Sequence, residues 1–305
     1  MERRAFLKGT GVWLLAGGLG QGLAQGRPPR GVNGGGFYRL ALGQVGVVVL
    51  SDGQSAPGPL LPNWGANPEL QDRFRQTLLE NFLNPEATRN NFNPVLLDLG
   101  TARLLVDTGR GAASGGRLLE HLALAGYAPE EITHVFLTHG HPDHIGGLVD
   151  EGGRPLFPRA QHLMGEVDLD HWLKNPSPAV TRNLVPLRER IRPVKDGEEI
   201  LPGVRAVASF GHTPGHMSLE VLSQNQRLFV FGDAAGHHLL SLRFPQAYLG
   251  FDMDREGVVR TRARLFQKVA QEGHLVTAYH FPWPAVGRIR RAGEGYEFVP
   301  AFFEF

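Results

Sequence analysis

Residues 138–147, with the sequence THGHPDHIGG, place three imidazoles and one carboxylate within six positions of the chain. His139 and His141 are separated by one residue, so both side chains can reach one metal ion from an extended loop. Asp143 and His144 are adjacent and can bind a second ion beside the first. Imidazole nitrogens and carboxylate oxygens suit Zn, and also Mn, Fe or Co. The spacing therefore predicts a centre for two divalent ions.

The residues around this motif favour a metal centre over a histidine-rich surface loop. The preceding residues 133–137, THVFL, are apolar and β-prone, which predicts a buried strand. Pro142 and the glycines allow the tight backbone that would turn the side chains inward. The ligands would then lie on a loop just after a strand end, where catalytic residues are often found. Because the chain has no cysteine, such a site must use histidine and carboxylate ligands.

Three further segments place a polar side chain just after an apolar, β-prone segment. In GHTPGH, residues 211–216, His216 is predicted to be the third ligand of the first ion, and His212 is predicted to brace the loop by hydrogen bonding. Asp233 ends the segment FVFGD and is predicted to bridge the two ions, because a buried carboxylate needs a partner. His280 is predicted to complete the second ion. The alternatives are a core or capping histidine at position 216 and a helix N-cap at Asp233.

Seven side chains make up the predicted centre, three for one ion, three for the other and one between them: His139, His141 and His216; Asp143, His144 and His280; and Asp233. Two ions about 3.5–4 Å apart lower the pKa of a bridging water and so supply a hydroxide nucleophile near neutral pH. They also polarise a carbonyl or phosphoryl oxygen while it gains negative charge. Asp233, or Asp143 once it is displaced from its ion, is predicted to transfer the proton. No side-chain nucleophile is then required.

The N-terminus predicts export. Residues 1–25 resemble a twin-arginine signal peptide, with ERRAFLK at positions 2–8, a short glycine-containing apolar run and a small-residue cleavage site. The run is too short to span a bilayer, so no stable membrane anchor is expected. The predicted location is periplasmic or extracellular, and the alternative is a frayed cytosolic N-terminus.

After this segment the chain has the composition of an ordinary globular protein. Residues 26–36 are rich in Pro and Gly and predict a linker, and residues 37–305 predict the functional domain. Hydrophobic residues make up 42% of the 305 residues, which is typical of globular chains. The net charge of +1 gives no basis for binding to nucleic acid.

Hydrophobic periodicity predicts strands and helices on both sides of the motif. Two hairpins are predicted over residues 37–50 and 95–107. Further strands are predicted over residues 161–164, 204–209, 218–222, 228–231 and 275–278. Helices are predicted over residues 69–82, 117–125, 168–173, 180–190 and 256–271. This distribution predicts two sheets sandwiched between helices.

The motifs, in this order and spacing, resemble those of dinuclear hydrolases of the metallo-β-lactamase superfamily, in particular methyl parathion hydrolase and related lactonases. Five further segments carry that resemblance: FYR (37–39), LSDG (50–53), LVDTG (105–109), GRIR (287–290) and GYEFVP (295–300). The resemblance implies an α/β fold, an αββα sandwich of two mixed β-sheets with the metals at one edge. Members hydrolyse organophosphate triesters, lactones or aryl esters. Several members form dimers, so a homodimer is one expectation.

The chain departs from the phosphotriesterase around the pocket. The loop at residues 110–116 is short and lacks an aromatic residue that the phosphotriesterase carries there, and residues 174–190 form a shorter segment. These departures leave the metal chemistry intact, and they do not favour parathion-like substrates over lactones. Four side chains are candidates for contact with a small-molecule ester, lactone or phosphotriester: Trp172, which matches a pocket aromatic, His237, Arg243 and Phe281.

Two other functional classes fit the same ligands. A metal-dependent oxygenase or oxidoreductase would favour iron and usually an extra cofactor domain, for which 305 residues leave no room. A non-catalytic periplasmic metal-binding protein would need the ligands but no site for hydroxide. Metal analysis combined with a hydrolysis assay separates these classes from the hydrolase.

Overall fold

The first predicted hairpin and the strand before the histidine motif belong to one mixed sheet. The structure is a computed structural model and describes residues 35–301. Across this sheet the strands follow chain order: β1 (Phe37–Leu42), β2 (Val45–Leu50), β3 (Val95–Asp98), β4 (Arg103–Val106), β5 (His134–Leu137), β6 (Gln161–Gly165) and β7 (Ile191–Val194). Neighbours from β1 to β4 are antiparallel, and neighbours from β4 to β7 are parallel.

The second half of the chain forms a second sheet of the same size. Its strands are β8 (Glu199–Leu201), β9 (Val204–Ala208), β10 (Met217–Ser223), β11 (Gln226–Val230), β12 (Leu275–Thr277), β13 (Val286–Ala292) and β14 (Gly295–Pro300). They also lie side by side in chain order. Only β11 and β12 pair in parallel among these described strands. This parallel pair brings the ends of two strands to the same edge.

Helices flank the sheets. They are α1 (Gln71–Glu80), α2 (Leu118–Leu124), α3 (Pro142–Ile145), α4 (Glu166–Lys174), α5 (Pro178–Asn183), α6 (Leu240–Arg243) and α7 (Arg255–Glu272). The longest, α7, begins where the Asp254 side chain accepts a hydrogen bond from the Gly257 amide, and it ends at Gly273 with a φ of 65°. Within residues 35–301, no helix combines the length and apolarity needed to cross a bilayer.

Alternation along β2 shows how the sheets pack. Val48 and Leu50 point to one face, where they join a core cluster with Leu122 of α2. Val47 points to the other face and packs in a cluster with Leu219 of the second sheet. Because successive side chains of a strand alternate between faces, each sheet can contact helices on one side and the other sheet on the other. The predicted αββα sandwich is confirmed.

Some predicted elements differ from the structure. The helix predicted over residues 180–190 is divided, because α5 ends at Asn183 and a 3-10 helix, Val185–Arg190, begins at the residue before Pro186. The amino-acid pattern did not predict strands β7, β8, β13 and β14. Of these, β7 and β8 are short, and β13 is rich in arginine. The predicted export signal, and residues 26–34 of the predicted linker, lie outside the described residues.

One buried histidine is expected to make the stability of the fold depend on pH. His162 lies on β6 with 0% exposure, and neither of its ring nitrogens has a hydrogen-bond partner. Burial, reinforced by the charge of Arg190, lowers the pKa of His162 to about 4. Unfolded histidine binds its proton near pH 6.5. Between these two pH values the unfolded chain therefore holds more protons, and stability falls as the pH is lowered.

We expect His162→Leu to lose less stability on acidification than the wild type. The difference in the free energy of unfolding between pH 7 and pH 4.5 should be smaller in the variant by roughly 2–3 kcal/mol. Urea unfolding of metal-free protein at the two pH values measures it, with His171→Leu at a partly exposed position of α4 as the control. An equal fall in wild type and variant would contradict the assignment.

Candidate metal centre

Three histidine side chains meet after β5 and β9. His139 and His141 follow β5, and the His139 Nε2 atom lies 2.9 Å from His141 Nδ1. His212 follows β9, and its Nε2 atom lies 3.0 Å from the same His141 nitrogen. Their candidate ligand atoms all lie within 4.8 Å of one another. These three imidazoles are defined as the first ligand group.

A second group lies beside the first. Asp143 and His144 belong to α3, and the His144 Nε2 atom is 3.6 Å from Asp143 Oδ2. His280 follows β12 and places its Nε2 atom 3.4 Å from the same carboxylate oxygen. The Asp143 side chain is 26% exposed, whereas that of His144 is buried. The second ligand group is therefore open to solvent on the Asp143 side.

Asp233 lies between the two groups. It follows β11 in a short 3-10 helix, Gly232–Ala234. Its Oδ2 atom is 3.2 Å from His212 Nε2 and 3.2 Å from His280 Nε2, and its Oδ1 atom is 3.5 Å from His144 Nε2. One carboxylate thus contacts members of both groups, as a bridging ligand must.

The structure does not place His216 where the sequence assigned it. The His216 Nε2 atom accepts a hydrogen bond from the Asp233 amide at 3.0 Å, and its Nδ1 atom lies 2.7 Å from Ser209 Oγ. Both ring nitrogens are therefore engaged by the protein. His212, assigned only a bracing role from the sequence, directs its Nε2 atom at the cluster instead. The geometry favours an exchange of these two roles, with His216 supporting the Asp233 loop.

Outer residues that the sequence did not single out orient the ligands. Asp107 has a left-handed backbone with a φ of 62°, and its Oδ2 atom lies 2.8 Å from His144 Nδ1. The Thr138 hydroxyl donates to the same Asp107 carboxylate at 2.9 Å. The Asn91 carbonyl lies 2.9 Å from His280 Nδ1. Such contacts fix the ring orientation and leave the other nitrogen free for an ion.

The imidazole pKa values divide into two sets. Burial, together with the charge of His212, lowers the pKa of His141 to about 3, and burial also lowers the pKa of His139. Burial opposes charge on His212 as well, but hydrogen bonds with Asp233 and Asp252 outweigh it and raise that pKa to about 9. The charges of Asp233 and Asp107 similarly outweigh burial and raise the pKa of His144. Carboxylates therefore stabilise positive charge at the positions where a cation would bind.

The donor set fits divalent metal ions. His144 Nε2 and Asp233 Oδ1 are buried and have no hydrogen-bond partner, although they lie only 3.5 Å apart. Buried polar atoms of this kind are destabilising unless another group satisfies them. Histidine nitrogens with one or two carboxylates, and without thiolates, match the ligand preference of Zn. The described residues thus supply both ligand groups and a carboxylate between them.

Asp168 of α4 ties the two ligand loops together. Its carboxylate accepts hydrogen bonds from the Gly140 amide at 3.0 Å, the Gly215 amide at 3.1 Å and the Trp172 indole at 2.9 Å. The approach is close, since a Cβ atom on Gly215 would lie 2.1 Å from the Asp168 amide nitrogen. One side chain therefore sets the separation of the loop that carries His139 from the loop that carries His212.

We expect Asp168→Asn to loosen both loops. The asparagine side chain has the shape of aspartate, but its NH₂ group would face one or more of the N–H donors that the carboxylate now accepts from. The free energy of unfolding should therefore fall by roughly 2–3 kcal/mol. It should also weaken metal binding by roughly 10–100-fold. Urea unfolding and zinc titration measure the two effects. Asp170→Asn, at an exposed ion pair of the same helix, is the control. Unchanged zinc affinity in Asp168→Asn would contradict the bracing role.

Of the four predicted substrate contacts, Trp172 lies against a candidate ligand, with its ring centroid 5.6 Å from that of His141, and the other three side chains have partners elsewhere. Trp172 is 8% exposed and donates its indole N–H to Asp168, so it supports the ligand loop. Phe281 is fully buried against Phe298 in the core. His237 is buried, and its Nδ1 atom accepts hydrogen bonds from the amides that begin α6.

Arg243, the fourth predicted contact, points away from the ligand groups. Its guanidinium donates to Asn81 Oδ1 at the end of α1, at 3.2 Å. It also lines a surface groove with Arg73 and Glu297, and none of the candidate ligands lines that groove.

Other aromatic side chains surround the second group. Trp64 and Phe92 both lie edge-on to the His280 ring. Their ring centroids are 4.9 Å and 5.6 Å, respectively, from that of His280. Phe251 contacts Trp64 at 5.7 Å and is 45% exposed, and the nearby Met253 is 50% exposed. These residues come from loops without a strong sequence pattern, which is why sequence reasoning missed them.

The family follows from this fold and site. The sequence model of the Metallo-beta-lactamase superfamily matches residues 88–270, which is more than half of the chain. The chain therefore belongs to the metallo-β-lactamase superfamily. The match contains both sheets in part and all the candidate ligands except His280.

Several known proteins are similar to the chain. The solved structure of hydrolase AbOPH is 26% identical, with a TM-score of 0.81, over 90% of this chain and 100% of that chain. AidC, a dizinc quorum-quenching lactonase, is 24% identical, with a TM-score of 0.79, over 88% of this chain and 99% of that chain. An atrochrysone carboxyl ACP thioesterase from Aspergillus fumigatus is 30% identical over 50% of this chain. That match spans only 32% of the thioesterase's own length. The chain shares the fold of the two solved structures.

Proposed function

We propose that this protein is a metal-dependent hydrolase that cleaves an ester-type bond, with lactones as the favoured substrates. The observation that carries the proposal is the position of Asp233, whose two carboxylate oxygens contact His144, His212 and His280 within 3.5 Å. A carboxylate shared by two ligand groups suits a dinuclear centre. The superfamily membership and the similarity to a lactonase support hydrolysis.

The ligands of the two ions follow from the groups described above. The first ion would be held by His139, His141 and His212, the second by Asp143, His144 and His280, and Asp233 would bind both. When bound, the ions supply Lewis acidity for the carbonyl oxygen and lower the pKa of a water molecule. Zinc fits the ligands best, and Mn, Co or Fe would also be accepted.

Side chains of the protein guide substrate approach and transfer the proton. Substrate approaches the half-exposed side of the cluster, where Asp143 is 26% exposed. Once displaced from its ion, the Asp143 carboxylate would take the proton of the attacking water and return it to the alkoxide that leaves as the C–O bond breaks. The carboxylic acid formed at the same time ionises and releases its proton to solvent. Tyr279 donates its hydroxyl to the Asp143 carbonyl at 2.6 Å and stacks on His144, which holds this loop in place.

One apolar surface beside the second ligand group can receive the rest of the substrate. Trp64 and Phe251 form an aromatic wall beside His280. Apolar side chains around such sites bind the acyl part of a ligand, while a few polar groups fix its orientation. The aromatic wall favours an ester with an apolar substituent.

A substrate panel tests the proposal. Purified protein with a measured zinc content is assayed against acyl-homoserine and simple lactones, nitrophenyl phosphotriesters and acyl thioesters. We expect lactone turnover to exceed the others by at least about tenfold in kcat/KM, which corresponds to about 1.4 kcal/mol in transition-state binding. Dominant phosphotriester turnover would reject the preference for lactones. Absence of turnover on all three panels would reject the hydrolase.

A further inference from the structure

Arg262 is a charged side chain in an otherwise apolar part of α7. It is fully buried, and its buried neighbours on the helix include Val258, Leu265 and Phe266. A guanidinium is destabilising in such a place unless it is paired and hydrogen-bonded. Its contacts connect it to the candidate metal centre in two ways, through a side chain and through the backbone.

The first connection joins Arg262 to His212 through the side chain of Asp252. The Arg262 Nη2 atom lies 3.6 Å from Asp252 Oδ2, and Asp252 Oδ1 lies 2.7 Å from His212 Nδ1. The Leu249 amide also donates to Asp252 Oδ2 at 2.7 Å. The other nitrogen of His212 faces the cluster. Arg262 and Asp252 therefore hold the imidazole from behind, as outer partners hold metal-binding histidines.

The second connection joins Arg262 to the Asp233 loop through backbone carbonyl groups. Arg262 Nε donates to the Ala234 carbonyl at 2.9 Å, and the guanidinium also donates to the Ala247 carbonyl. Ala234 directly follows Asp233 in the short 3-10 helix. The same guanidinium thus contacts the loop that carries the candidate bridging carboxylate and the loop that leads to Asp252.

We propose that Arg262 is a positioning residue that fixes His212 and Asp233 relative to one another. The inference rests on the proposed metal centre. Arginine suits this role because its planar guanidinium directs several donors at once, whereas lysine is a point charge on a flexible chain. Asp252 is the intermediate on the His212 side, and the Ala234 carbonyl is the intermediate on the Asp233 side.

Metal affinity tests this inference without relying on activity. Zinc affinity is measured by competition with a chelating dye, and the visible spectrum of the cobalt-substituted protein reports the ligand geometry. We expect Arg262→Met and Asp252→Asn each to weaken zinc binding by roughly 10–100-fold and to change the cobalt spectrum. Arg262→Lys should recover part of the affinity because it retains the charge. Arg260→Met, at an exposed ion pair on the same helix, should match the wild type.

The outcomes separate this inference from the proposed function. Folded Arg262→Met and Asp252→Asn with wild-type zinc affinity and cobalt spectrum would overturn the positioning role, even if their Tm is lower. If Arg262→Met does not fold, Arg262→Lys decides the matter, because wild-type zinc affinity and cobalt spectrum in that variant would overturn a role that depends on the planar guanidinium. Wild-type protein that takes up neither zinc nor cobalt would overturn the metal centre itself. Tight binding by the wild type with unaffected variants would leave the proposed function standing.

Discussion

Replacement of Asp233 by alanine is expected to abolish metal binding and hydrolytic activity together. Asp233 contacts both ligand groups, so its loss removes a ligand from each proposed ion and leaves His144, His212 and His280 without their shared carboxylate. The loss should exceed the roughly 10–100-fold that removal of an outer partner produces. Elemental analysis and kcat/KM for a lactone, measured on the same preparation, give the two quantities.

An exposed aspartate provides the comparison for this variant. Asp72→Ala changes an exposed residue in the first turn of α1 and should retain both metal and activity. Asp233→Ala protein that still binds two ions, or that hydrolyses the lactone at the wild-type rate, would refute the bridging role.

His212→Ala is expected to have a larger effect than His216→Ala, although the sequence suggested the reverse. His212 directs its Nε2 atom at His141 and Asp233, within 3.2 Å of each. His216 instead binds the Asp233 amide and Ser209. We expect His212→Ala to lose about one ion per chain and most of its activity. His216→Ala should keep both ions with roughly 10–100-fold weaker affinity.

Metal stoichiometry at saturating zinc distinguishes the two histidines. His134→Ala, at a partly buried position of β5 whose ring faces the Thr133 hydroxyl, serves as the control for loss of an imidazole. The exchange of roles would be disproved by a His216→Ala variant that lacks one ion alongside a His212→Ala variant that retains both.

Local sequence patterns predicted many of the strands and helices. Short apolar, β-prone runs identified β1 to β5, because the side chains of these strands face a helix layer on one side and the second sheet on the other. The same patterns failed for β13, VGRIRRA, where exposed arginines replace the outward apolar residues. Pro186 marked the point at which the predicted helix over residues 180–190 divides.

The candidate site was predictable only where its residues are close in the chain. His139, His141, Asp143 and His144 share one loop and helix, so their spacing alone indicates their common role. The choice between His212 and His216 depends on contacts that the sequence does not reveal. The deciding partner of His212 is Asp252, which is 40 residues further along the chain. Trp64 and Phe92 likewise reach His280 only through the folding of distant loops.

A metal titration of lactone hydrolysis tests the central claim most directly. Protein is stripped with a chelator and zinc is added back in measured equivalents while kcat/KM for an acyl-homoserine lactone is followed. We predict no turnover by the stripped protein and a rise that reaches its plateau at two ions per chain. Turnover that survives complete removal of metal, or none with two ions bound, would contradict a metal-dependent hydrolase of this kind.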